Sequence, residues 1–343
     1  MSRLRSVIVP VILGIALLLG SLVILLVTRT PARQAIRVTA VIKAIVNDSE
    51  FWEMVKAGMR TAADDFGLVL DIQGPWAESD IDGQIRIVEE ILSGSPPKAL
   101  ILAATDHARL APLVEQAWTL GIKVIALDSG VDSSRPATFV ATNNQEAAEK
   151  AALEMQRLLQ SRRLLRSRGL LEGREPGKVA IINHVRGATT AIERENGVRR
   201  ALDAATSDGD CTIIGAWFTD NFEENAYAIT VNLLAEYPDL AGILAMNEVS
   251  TVGAARALRD LELGGRIPLV GFDSSIAEVQ FIEEGIIAAT VIQKPFNMGY
   301  LAVRAARDAM ENRALPDFID TGSVLITAEN LYEPENQKLL FPF

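Results

Sequence analysis

The chain predicts an α/β protein built from two doubly wound parallel sheets. After residue 36, ten short apolar, β-branched runs alternate with amphipathic stretches, and such alternation implies parallel strands joined by right-handed helical crossovers. Its 343 residues are enough for two ordinary domains plus an N-terminal appendage. Nearly every apolar run ends in hydrogen-bonding side chains, and in open α/β sheets ligands bind outside the carboxyl ends of the strands. Two sheets rimmed with amides and carboxylates describe a cleft for a small polar molecule.

The elements follow in order. Val7–Val27 is an uncharged run of 21 residues behind Arg3 and Arg5, about the length that spans a bilayer and longer than a signal-peptide core. No cysteine follows it, so a lipoprotein anchor is excluded. Thr30 and Ala32 frame a small-residue cleavage site that Pro31 and Arg33 weaken, so an uncleaved anchor is preferred to a cleaved signal. Arginines flank the run on both sides, so the positive-inside rule does not fix its orientation. After a linker to residue 36, Val38–Lys43 leads to Asn47 and Asp48, Ala99–Ala104 to Thr105 and Asp106, and Lys123–Leu127 to Asp128 and Ser129. Later runs end at Asn183 with His184, at Asp220 with Asn221, at Asn247 with Glu248, at Asp273 and at Gln293. Between them, apolar residues recurring at three and four predict helices over Phe51–Phe66, Asp80–Leu92, Arg109–Leu120, Gln145–Arg168, Thr189–Ala204, Glu223–Tyr237, Val249–Leu261, Ile276–Glu284 and Phe296–Asn312. Glycines follow several of them, as Gly67, Gly121 and Gly285 do.

Composition removes several functions. A net charge of −11 argues against a nucleic-acid partner. With His107, His184 and Cys211 as the whole complement of their types, there is no zinc spacing and no internal disulfide. Neither a Walker pattern nor a G-x-G-x-x-G opening occurs, so nucleotide binding is disfavoured and no cofactor is expected. Arg157–Arg174 holds six arginines against one glutamate. It reads as a solvated helix end, or else as a contact for anionic headgroups or an acidic partner.

Five segments in this order carry a resemblance: Asn47-Asp48-Ser49-Glu50-Phe51-Trp52, Val124–Ser129, Ala245-Met246-Asn247-Glu248, Val270-Gly271-Phe272-Asp273 and Val291–Phe296. Over roughly residues 36–332 the chain resembles the type I periplasmic solute-binding proteins, in the ribose- and autoinducer-2-binding branch of sugar ABC transport. The resemblance implies two lobes joined by a three-crossing hinge, with crossings near Ala141–Asn143, Phe272–Ser274 and Gln293–Pro295. It divides the chain into 1–28 (anchor or signal), 29–36 (linker), 37–141 with 294–322 (first lobe), 142–293 with 323–335 (second lobe) and 336–343 (tail).

The resemblance also implies roles. Phe51 and Trp52 would stack on a sugar ring, since two adjacent aromatics at a helix start cannot both face the core. Lys43 stands near the end of the first strand, with two extra residues between it and the aromatic pair. Asp128 and Asp273 would accept from ligand hydroxyls, while Asn247 and Gln293 would both donate and accept. Asp220 and Asn221 are further candidates. The bland alternative for each carboxylate is a solvated loop. Asp106 reads as a helix cap and His184 as a rim or core residue. Ribose-type proteins carry an arginine where this chain has Ile192. Arg194, two residues on, should point elsewhere; a substituted, deoxy or otherwise less hydroxylated ligand is consistent with that loss, and the ligand's identity stays open. The function expected is capture of a sugar-like solute outside the cytoplasm for an ABC permease. The alternative is a membrane-tethered receptor signalling to a histidine kinase or chemoreceptor. No nucleophile–base set suggests an enzyme.

Overall fold

The computed structural model describes residues 36–45, 49–169, 177–205 and 211–340. The first sheet has the order β11-β5-β4-β3-β1-β2 and the second β12-β10-β9-β8-β6-β7. Their strands are β1 (Arg37–Val41), β2 (Val69–Gln73), β3 (Ala99–Leu102), β4 (Lys123–Leu127), β5 (Thr138–Ala141), β6 (Lys178–Asn183), β7 (Thr212–Phe218), β8 (Leu240–Ala245), β9 (Leu269–Phe272), β10 (Ile287–Ile292), β11 (Phe318–Asp320) and β12 (Val324–Thr327). Within each sheet the pairing is parallel except for β10 with β12. Setting β11 and β12 aside, the orders are the same one written twice, with β1 to β5 corresponding to β6 to β10.

The helices are α1 (Glu50–Phe66), α2 (Ile81–Ser93), α3 (Ala111–Thr119), α4 (Asn144–Ser167), α5 (Thr189–Ala205), α6 (Glu223–Glu236), α7 (Glu248–Asp260), α8 (Ile276–Glu283), α9 (Pro295–Met310) and α10 (Pro334–Leu340). Parallel strands are covered on both faces, which is why their sequences read as continuous apolar runs. In the first lobe, Val38, Ala40 and Ile101 meet Val55 and Met59 of α1 and Val303 of α9. On the opposite face Leu100 and Leu102 meet Val88 and Val114. In the second lobe, Val179 and Ile181 pack on Ala151, Met155 and Val198, while Ala180 and Ile182 pack on Ala254, Leu258 and Ile282.

The chain passes between the sheets after β5, after β10 and between β11 and β12. The crossing expected at Phe272–Ser274 is not one, because the flanking β9 and β10 belong to the same sheet; the third passage is instead the 321–323 segment. Strands as short as β11 and β12 leave too little alternation to be read. The expected tail from residue 336 is part of α10, apart from 341–343, which lie outside the described residues.

Two glycines set the α1–α9 packing. A Cβ on Gly58 would lie 2.0 Å from the Phe296 carbonyl oxygen, and one on Gly299 would lie 2.1 Å from that of Val55. The helices approach at a distance only hydrogen side chains permit. The anchor expected at Val7–Val27, Asn47, Asp48 and part of the arginine-rich stretch lie outside the described residues. Within that stretch, Arg162 donates to the carbonyls of Gly265 and Arg266, fastening the end of α4 to a loop. Among the described residues no helix is long and apolar enough to cross a membrane.

Candidate functional site

The lobes meet along the carboxyl ends of both sheets. Asp128 after β4 and Asp273 after β9 are equivalent positions, and they adopt the same unusual backbone, with φ of 57° and 76°. Their N–H groups donate to Val140 O and Val291 O, both at 2.9 Å. A left-handed residue other than glycine is uncommon, with Asp and Asn the best tolerated. That conformation turns both carboxylates into the space between the sheets.

Each carboxylate is held. Asp128 lies 2.9 Å from the Lys43 ammonium, which also lies 3.3 Å from Glu78 and donates to Thr190 Oγ1 of the second lobe at 3.2 Å. Burial alone would lower the lysine, but Asp128 and Glu78 outweigh it and hold the ammonium above its ordinary range. Burial pushes the Glu78 carboxyl up. Asp273 accepts from Gln293 Nε2 at 2.6 Å and from the Glu248 N–H at 3.1 Å. Gln293 Oε1 and His184 Nδ1 are buried without a partner. Burial first, then Lys43 and Arg194, drive His184 well below its ordinary value. It is therefore a neutral imidazole, with Nε2 2.9 Å from Thr190 Oγ1.

Phe51 and Trp52 are 9% and 3% exposed and meet edge to face at 5.2 Å. The expectation that they could not both face the core is corrected: both join the first-lobe core, and both line the cleft. Asn247 is the N-cap of α7, accepting from Ser250 N at 3.1 Å and donating to Asn221 Oδ1 at 2.7 Å.

Arg194 is a second correction. It is 3% exposed, whereas Ile192 is 41% exposed on the outer side of the same helix. Two residues along a helix is about 200° of rotation, so the two side chains face opposite ways and it is Arg194 that enters the cleft. Its Nε donates to Asn144 Oδ1 at 2.8 Å, its Nη1 to Met246 O at 2.6 Å, and its guanidinium lies 3.9 Å above the Phe272 ring. The inference of a less hydroxylated ligand loses its premise.

The cleft narrows to a cavity of about 30 Å³ and brings together Lys43, Phe51, Trp52, Asp128, Asn221, Asn247, Asp273 and Gln293. Asp220 is not among them; it is exposed, its side chain left outside while Asn221 turns in. Ser49, Glu78, His184, Thr190, Arg194 and Glu248 complete the lining and are not among the candidate ligand contacts from sequence. Contacts between the lobes close the rim: His107 N–H donates to Gly187 O at 3.1 Å and Gly130 N–H to Thr189 Oγ1 at 2.7 Å. Asp106 accepts from Ala108 N and Arg109 N and so closes a turn ahead of α3, rather than capping the helix as expected: α3 begins at Ala111, with Leu110 as its N-cap. A larger, more apolar groove flanks the cleft, lined by Met54, Ile276, Phe296 and Leu340. Among the described residues no His, Cys, Asp and Glu group has metal-binding geometry.

This arrangement can hold a small, uncharged, hydroxyl-rich molecule. Lys43 is already matched by Asp128 and Glu78, and Arg194 is held by Asn144, the Met246 carbonyl and the Phe272 ring. The spare acceptors of the cleft suit hydroxyl donors, and its aromatic pair offers a face to C–H groups. Known proteins are similar to the chain in sequence and fold. The model of a family described as periplasmic binding protein domain matches residues 40–314. The D-allose-binding periplasmic protein of Escherichia coli (strain K12) is 26% identical over 321 residues, 90% of this chain and 97% of that protein. A carbohydrate transporter solute-binding protein from Agrobacterium radiobacter, solved with D-arabinose, superposes with a TM-score of 0.81 at 26% identity, covering 90% of this chain and 100% of that one. An ABC transporter solute-binding protein from Agrobacterium vitis, solved with D-fucose, gives 0.79 at 29% identity over 89% of this chain and 100% of that one.

Proposed function

Since the chain belongs to the periplasmic binding protein family, we propose that it captures a neutral monosaccharide outside the cytoplasm and presents it to the permease of an ABC importer. The observation that carries this reading is the paired Asp128 and Asp273, aimed into one cleft between the lobes beside Arg194 and the Phe51–Trp52 pair. Lys43, Asn221, Asn247 and Gln293 complete the set of ligand contacts in this reading. Residues 37–141 with 294–322 form one lobe, and 142–293 with 323–335 the other. The sugar leaves as it entered, without chemical change. Relatives and structures of this kind bind sugars for transport, and they lend no support to the sensory alternative. The N-terminal run Val7–Val27 anchors the domain to the membrane.

A thermal-shift screen of the full chain against D-allose, D-ribose, D-arabinose, D-fucose and autoinducer-2 tests the binding reading. A ligand of the native state raises the melting temperature by mass action. At least one sugar should do so, and recovered sugar should be unaltered; a flat response across the whole panel would remove the reading.

A further inference from the structure

Several helices of the described chain supply their own N-terminal cap. Asp80, Asn143, Asn247 and Ser275 each accept a hydrogen bond from a backbone N–H of the first turn that follows. Helix α1 does not. Its N-cap is Ser49, a good capping residue, yet the Ser49 side chain makes no cap bond. Ser49 Oγ instead lies against Glu248 Oε2 of the other lobe. Glu248 Oε1 accepts from Glu50 N–H at 3.2 Å and Oε2 from Phe51 N–H at 3.4 Å. The arrangement is reciprocal: Glu50 Oε1 accepts from Ile276 N–H, at the start of α8 in the second lobe, at 3.1 Å. Each lobe thus caps an exposed helix start of the other, satisfying N–H groups that have no partner within their own helix.

We propose that Glu248 is a positioning residue for ligand capture, whose side chain holds the cleft closed by capping, from the second lobe, the helix that carries Phe51 and Trp52. This inference rests on the closing-cleft reading above. The cap exists only while the lobes are together, and it fixes the aromatic pair at the moment the ligand is enclosed. Glu248 sits at the cavity wall but acts through α1. The groups facing it are Ser49 and Glu50 on α1, Asp273 after β9 and Glu278 on α8.

In the closed cleft Glu248 is buried, with Asp273 of its own lobe beside it, and burial first, then that carboxylate, pushes its pKa up from 4.5 to about 7. With the lobes apart Asp273 and Glu278 stay beside it, but part of the burial, the largest cause, is lost and its pKa falls. The closed form therefore binds the extra proton, and closure is favoured below about pH 7 and weakened as pH rises through it. A neutral carboxyl retains an acceptor for the α1 N–H groups and donates to Ser49 Oγ. Between pH 6 and 8 the closed-to-open ratio should fall, by at most about tenfold, the limit reached if opening restored the ordinary 4.5 in full.

The test measures the distance between lobes without any ligand, so a wrong sugar assignment leaves it intact. Spin labels go on Arg60→Cys and Asp260→Cys, both exposed positions, in a Cys211→Ser full-length background, and pulsed dipolar distances are recorded at pH 6 and 8. In the parent chain the ratio of short- to long-distance populations should fall with rising pH, by up to about tenfold. Glu248→Gln, neutral at both values, should flatten that dependence, and Glu248→Ala should deplete the short population at both. Glu50→Ala, at an exposed site that leaves folding undisturbed, should lower the short population while keeping the slope. A parent-like slope in Glu248→Gln, or a parent-like short population in Glu50→Ala, would overturn the proposal.

Discussion

Arg194 carries the sharpest residue-level test, because the sequence and the structure disagree about which of two neighbours faces the ligand. On the binding reading, Arg194→Ala should weaken sugar affinity by about 1.5–3 kcal/mol, the range for hydrogen bonds to charged groups. Ile192→Ala, exposed on the outer side, should leave affinity unchanged. Calorimetric titration with whichever sugar shifts the melting temperature decides it; equal losses would mean that α5 is rotated from the position described. A matching contrast separates Asn221, which lines the cavity, from Asp220, which is exposed. Asn221→Ala should lower affinity several-fold and Asp220→Ala should not. Strand-end residues are legible in the sequence because a buried parallel strand must be apolar until it reaches the ligand edge, so the first polar side chains mark the site. Glu78 is not, since it lies in the loop between β2 and α2, where no periodicity assigns a direction. Arg194 escapes a sequence reading because a helix register cannot be fixed to within two residues from the start of an apolar pattern.

Among the elements, the α1–α9 pair is the most sensitive contact. Gly58→Ala places a methyl at 2.0 Å from the Phe296 carbonyl oxygen, and backbone cannot yield as a flexible side chain can. Overpacking of this kind costs about 1–3 kcal/mol and occasionally more, so urea unfolding should show a lowered midpoint. Gly67→Ala, at φ 62° with nothing within 4 Å, should cost less, through left-handed strain alone at about 1 kcal/mol. Equal losses in the two variants would show that close approach is not what Gly58 provides. The larger helices are readable within a residue or two at most ends because amphipathic periodicity survives over three or more turns. β11 and β12, at 3 and 4 residues, are not, and with them goes the third passage between the lobes. The duplicated strand order also explains why the site is symmetric: equivalent strand ends present Asp128 and Asp273 from opposite sides to one ligand.

At the scale of the whole molecule, a binding protein and its importer must share a membrane, and the N-terminal run bears on how. Val7–Val27 has 21 uncharged residues, enough for about 30 Å of hydrocarbon at 1.5 Å per residue. A signal-peptide core is usually about 7–15 residues. The chain's single cysteine is Cys211, so lipid attachment at a cysteine next to this run cannot serve as the anchor in its place. Pro31 between Thr30 and Ala32, with Arg33 next, is a poor context for a signal peptidase. Balanced arginines do not orient the segment by charge, but a solute-binding cleft serves an importer only on the outer side. On this reading the mature protein stays with the membrane, with its lobes outside and the hinge free to close. Fractionation followed by N-terminal sequencing checks it. The chain should sediment with membranes, resist extraction by salt and carbonate, and retain residues preceding Val7. A chain released by osmotic shock and beginning at Arg33 would show instead that the run is a cleaved signal and the protein a freely diffusing carrier.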